Sequence, residues 1–121
     1  MRILGLHHAQ ITIPRGAEAQ GRQFYCDLLR LPEVEKPESL QGRGGFWLQV
    51  GQQQVHVGVE DGVHRSATKA HLAYQVDNIR VWLKMLRENG IEIGDSVPFS
   101  GFERFEIRDP FGNRVEFIQA L

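Results

Sequence analysis

The chain has 121 residues, with 14 Lys and Arg against 15 Asp and Glu and a formal net charge of -1, which suits an ordinary globular domain and excludes the basic footprint of a nucleic-acid-binding surface. Hydrophobic residues make up 41%, yet no apolar run approaches the roughly 18 residues that a membrane span needs. Cys26 stands alone, so an internal disulfide is excluded and a reducing compartment is expected; the opening Met1–His8 is too short and polar for a signal peptide, which makes the cytoplasm the expected location.

Residues 6–13 (LHHAQITI) read as a strand ended by Pro14. Residues 17–30 follow as a helix, with Phe24, Leu28 and Leu31 recurring at helical spacing. Pro32, Pro37 and Gly42 mark a loop. Residues 45–50 and 53–60 read as two strands joined by Gly51-Gln52, and the polar run from Asp61 to Thr68 reads as a connector. From Ala70 the pattern restarts. Residues 71–76 (HLAYQV) alternate as a strand, Asp77 is the expected N-cap, and Ile79, Trp82, Leu83 and Leu86 form a helical stripe stopped by Asn89-Gly90. Ile91-Glu92-Ile93, residues 103–108 and residues 114–119 complete the half as strands, the last two joined by the turn-rich Asp109–Asn113. Strand, helix and two or three strands thus occur twice, in modules of about 1–62 and 68–121. An α+β fold follows, in which two curved sheets carry their helices outside.

Strand alternation sorts the chemistry-bearing residues. In the first strand Ile11 and Ile13 face the helix together with His7, while His8, Gln10 and Thr12 share the other face. In 53–60 the valines at 55, 57 and 59 oppose Gln54, His56, Gly58 and Glu60. His71 opposes Leu72 and Tyr74, and Glu116 opposes Val115 and Phe117. His8, His56, His71 and Glu116 therefore lie on non-helix faces, two in each half. Three imidazoles and a carboxylate suit a first-row transition ion (Zn, Ni, Co, Fe or Mn) better than Mg or Ca. His8, His71 and Glu116 alone match the two-His, one-carboxylate set, which leaves positions open for a substrate that binds through adjacent oxygens.

The segments "LHHAQITIP" with "FYCDLL", "AHLAYQVDNI" and "RDPFGNRVEFIQ", in this order, resemble the vicinal oxygen chelate superfamily, which includes glyoxalases, bleomycin-resistance proteins and extradiol dioxygenases. The resemblance covers nearly the whole chain. It implies tandem βαβββ modules forming a half-open barrel and a divalent metal held by His8 in preference to His7, with His56, His71 and Glu116. Glyoxalase-type members often carry Glu or Gln where His56 stands. It also implies a homodimer whose cleft is completed by the second chain. Departures are specific: glutathione-dependent glyoxalases typically have Arg where this chain has Thr12 and Asn where it has Glu60, and fosfomycin thiol transferases typically have Thr where it has Gln10.

The leading expectation is a small metal-dependent lyase or isomerase with Glu116 as ligand or base and Gln10, Glu60, Arg104, Arg114 and Phe102 as substrate-binding candidates, Arg108 being a further cation within reach of an anionic substrate. Residues 36–44 and 97–102 are candidate lids. An Fe(II) extradiol-type dioxygenase is one alternative. A metal-free protein that sequesters an antibiotic-sized molecule is another, with Trp47, Phe99, Phe102 and Phe105 as candidate groove aromatics.

Overall fold

The structure is a computed structural model describing Met1–Leu121. Its chain forms two compact units, Met1–Val63 and His64–Leu121. No helix is long and apolar enough to cross a membrane.

In the first unit, strand β1 (His8–Ile13) is followed by helix α1 (Glu18–Arg22). The chain then winds on through Gln23–Leu28 with the wider i→i+5 spacing, seen in the 2.9 Å bond from Leu29 N–H to the Phe24 carbonyl. The extra residue per turn changes which side chains face inward. Phe24, Tyr25 and Leu29 are buried, whereas Leu28, expected inside from regular helical spacing, is half-buried. Gly21 lets this helix approach the sheet, because a Cβ there would lie 3.1 Å from the Phe46 ring. The stretch expected as plain loop contains a two-residue strand β2 (Glu33–Val34) and a 3-10 turn (Glu38–Arg43). Strands β3 (Phe46–Val50) and β4 (Gln53–Val59) form the expected hairpin, with Gly51 at φ 58 in its turn. The sheet order is β1-β4-β3-β2, with β1 parallel to β4.

The second unit repeats this plan. Strand β5 (His71–Gln75), helix α2 (Ile79–Glu88), and strands β6 (Phe102–Arg108) and β7 (Arg114–Ala120) give the order β5-β7-β6, with β5 parallel to β7. The N-cap is Asn78, one residue later than expected: its side chain accepts from Val81 N–H while Gln119 accepts from Ile79 N–H. The expected strand at 91–93 is reduced to one bridge between Gly94 and Glu106. Ile79 and Leu86 bury the helix stripe, and Phe105, Ile107, Val115 and Phe117 bury one face of the sheet. Phe105 stacks on Phe117, centroids 5.1 Å apart, and so belongs to the core and not to a groove. Asp109 holds the final hairpin: its carboxylate accepts from the backbone N–H groups of Phe111 and Asn113 and from the Asn113 amide. Neither sheet closes on itself.

Candidate functional site

The parallel pairing in each unit sets one geometry twice. In the first unit His8 lies opposite Gln54, and His56 stands two residues further along β4 on the same face. In the second His71 lies opposite Arg114, and Glu116 stands two residues further along β7. Each pair therefore sits diagonally across its parallel ladder, within reach of two side chains. The His8 and His56 rings stack with centroids 4.1 Å apart, and His71 Nε2 is 3.4 Å from Glu116 Oε1.

Around the first pair the environment is aromatic. Trp47 faces His56 across the antiparallel ladder and stacks on it at 3.7 Å with the planes 1° apart. His56 is buried between Trp47 and His8, and its Nε2–H donates to Gln54 Oε1 at 3.1 Å, which leaves Nδ1 with the lone pair. Burial holds the His56 imidazole below its ordinary pKa, and the neighbouring His8 and His7 act in the same direction. His7 lies outside the strand, and its Nδ1 meets His8 Nδ1 at 3.0 Å, so one of the two rings donates and His8 Nε2 stays clear. These residues line a cleft of about 520 Å³ together with Gln10, Lys36 and Arg43. Gly58 makes room for Gln10, since a Cβ there would lie 2.6 Å from the Gln10 amide nitrogen. Glu60 does not line this cleft.

Around the second pair the environment is charged. Glu106 lies directly opposite Glu116 across β6 and β7, an arrangement of like charges that needs compensation. Two diagonal arginines supply it: Arg104 Nη1 donates to Glu116 Oε1 at 2.9 Å, and Arg114 pairs with Glu106. Arg104 also donates to the Val97 carbonyl from Nε at 2.9 Å and lies 4.8 Å over the Phe99 ring. Arg108 donates to the Gly112 carbonyl. The three arginines read from the sequence as substrate cations thus hold protein groups. Phe102 is partly exposed and packs on Phe99, centroids 5.0 Å apart.

His71 shows how a metal would fit. Its Nδ1–H donates to the Lys69 carbonyl at 2.8 Å, which orients the ring so that Nε2 faces a Glu116 carboxylate oxygen at 3.4 Å. Such a contact is favourable only with a proton or a cation between them. Within neither unit do three His, Cys, Asp or Glu side chains gather as a metal-ligand group. Each unit brings two of the four candidate ligands together.

The sequence readout did not separate Lys36 and Arg43 from their loop, because their approach to the cleft depends on the 3-10 turn. Buried Arg65 was also missed, since a connector gives no periodic signal.

No curated protein sequence matches the chain. Among solved structures, a putative glyoxalase family protein from Bacillus anthracis is 38% identical over 100% of both chains, with a TM-score of 0.92. Two more distant structures share the fold. A mutant of the fosfomycin resistance protein FosX from Listeria monocytogenes, complexed with Mn(II) and 1S,2S-dihydroxypropylphosphonic acid, is 16% identical over 99% of this chain and 95% of that one, TM-score 0.80. Lactoylglutathione lyase from Agrobacterium tumefaciens is 17% identical over 98% and 95%, TM-score 0.75. The family model of the Glyoxalase/Bleomycin resistance protein/Dioxygenase superfamily matches residues 5–117. With repeated modules and a family match over nearly all its length, the chain belongs to that superfamily.

Proposed function

We propose that the protein is a metal-dependent enzyme of the lyase or isomerase type, acting on a small molecule through two adjacent oxygens, with His8, His56, His71 and Glu116 holding one divalent transition ion. The observation that carries this reading is the His71–Glu116 contact: an imidazole nitrogen oriented by the Lys69 carbonyl and aimed at a buried carboxylate. The Mn(II) complex of the FosX relative supports a divalent ion in this fold. When bound, such an ion supplies Lewis acidity toward substrate oxygens. The protein's own contributions are separate. Lys69 fixes the His71 tautomer through its carbonyl. Arg104 and His71 both address Oε1 of Glu116, which leaves Oε2 to take up a substrate proton. Gln10 presents its amide in the space Gly58 provides, and Trp47 shields one face of His56 from water. A homodimer in the cytoplasm completes the proposal.

A second reading, metal-free sequestration of a small molecule, has its own support. Arg104 already neutralises Glu116, and His56 is stacked on both faces with Nε2 engaged. Metal analysis of untagged protein separates the two. About one transition ion per chain supports the enzyme, whereas protein that stays empty after incubation with Mn(II), Zn(II) and Ni(II) supports sequestration. Oxygen uptake with catechols then tests the dioxygenase variant of the enzyme reading.

A further inference from the structure

We infer that the molecule taken up by the first-unit cleft carries an oxyanion, held at the rim by Arg43 and Lys36 while its neighbouring oxygen turns toward His8. This rests on the reading of that cleft as the substrate side of the proposed site. The cleft has about 520 Å³, within the span of small-molecule sites. None of its lining residues is Asp or Glu, while Lys36, Arg43, His7 and His8 all line it. A cleft whose charged lining has one sign focuses the field on an anion.

The rim is built by the fold. Lys36 Nζ donates to the Gly44 carbonyl at 2.7 Å, which ties the start of the 3-10 turn to its end and brings the ammonium to the residue next to Arg43. One of the three ammonium protons is used, and the others remain for a ligand. Arg43 is exposed and makes no ion pair. This contrasts with Arg104 and Arg114, each paired with a glutamate, and with Arg22, paired with Glu33. The nearby Glu35 carboxylate accepts from Gln41 instead. A planar guanidinium with its donors uncommitted, facing a cavity, is suited to bidentate carboxylate or phosphonate recognition. The shared chemistry is an oxyanion one carbon away from a hydroxyl, and the two sources separate in the test.

Binding of hydroxymethylphosphonate, glycolate and neutral ethylene glycol is followed by amide chemical shifts, at matched ionic strength, for wild type, Arg43→Gln, Lys36→Met and the remote exposed control Arg87→Gln. The expected result is that at least one anion binds about tenfold or more tightly than the diol, and that Arg43→Gln removes roughly tenfold of that affinity. Lys36→Met should weaken the doubly charged phosphonate more than glycolate, and Arg87→Gln should change nothing. The inference is overturned if the diol binds as well as both anions, or if Arg43→Gln behaves like Arg87→Gln. Mn(II) affinity measured on the same proteins keeps the two readings apart. Intact Mn(II) binding without anion preference overturns the oxyanion alone; Arg43-dependent anion binding in protein that takes no Mn(II) upholds the oxyanion and overturns the metal-dependent enzyme.

Discussion

Replacing Arg104 by Met keeps an unbranched apolar stem and removes the charge that holds Glu116. The Glu116 side chain is 5% exposed and that of Arg104 18%. Taking one member from a fully buried ion pair costs roughly 3–5 kcal/mol, because the other charge stays buried and unmatched. Partial access of water at Arg104 lowers this to about 2–3 kcal/mol, including the donors lost to the Val97 carbonyl. For a chain of this size that corresponds to a fall in melting temperature of roughly 8–12 °C. A divalent ion on Glu116 restores a positive partner, so saturating Mn(II) should raise the melting temperature of Arg104→Met by more than it raises that of wild type. The assay is thermal unfolding by circular dichroism with and without Mn(II). A loss below about 3 °C would show that Arg104 does not hold Glu116 in solution. Equal stabilisation of both proteins by Mn(II) would refute the idea that arginine and metal share the carboxylate.

Other predictions concern the first unit. Gly45 has φ 74, and a Cβ there would stand 2.0 Å from the Val57 carbonyl oxygen, a backbone atom fixed by the pairing of Phe46 with Val57. Gly45→Ala should therefore cost about 2–5 kcal/mol in urea unfolding, from left-handed strain and forced displacement together; a cost under about 1 kcal/mol would contradict the geometry. Gly58→Ala meets only the end of the flexible Gln10 side chain, so it should leave stability within about 1 kcal/mol while shifting the Gln10 side-chain amide resonances. His56 has a folded pKa lowered from 6.5. Its neutral form favours folding, so the contribution is full above pH 6.5 and is lost as pH falls through the lower folded value. His56→Phe, which keeps a ring for Trp47, should lose less stability between pH 7.5 and pH 5.5 than wild type, as read from urea midpoints; parallel losses would assign the acid limb to other groups.

Strand alternation made the two side-chain pairs legible, because a residue between buried valines or phenylalanines on a strand points to the other face. That logic puts His8 and His56, and His71 and Glu116, on shared faces, and the parallel register brings each pair together. Register is what the sequence withheld. Arg104 and Arg114 look like free cations along a strand, and only the pairing of Glu106 with Glu116 shows that each guanidinium answers a carboxylate across the ladder. The wide turn through Gln23–Leu28 was hidden because an i→i+5 bond leaves no residue-level signature, and it put Leu29 in the core in place of Leu28. The segment from Pro32 to Gly42 read as punctuation, yet its prolines flank a short strand and a 3-10 turn that carries Arg43 to the cleft. Local propensity describes such a segment poorly when a side-chain bond across it, Lys36 to the Gly44 carbonyl, ties its ends together.

If His8, His56, His71 and Glu116 hold one divalent ion, as proposed, a substitution in either unit disables its binding. Calorimetric titration of metal-free protein with Mn(II) tests it most directly, using wild type, His8→Ala and His71→Ala. The expected result is one ion per chain for wild type and a large loss of affinity in both variants. Binding that survives His8→Ala undiminished, or two independent ions per chain, would contradict it.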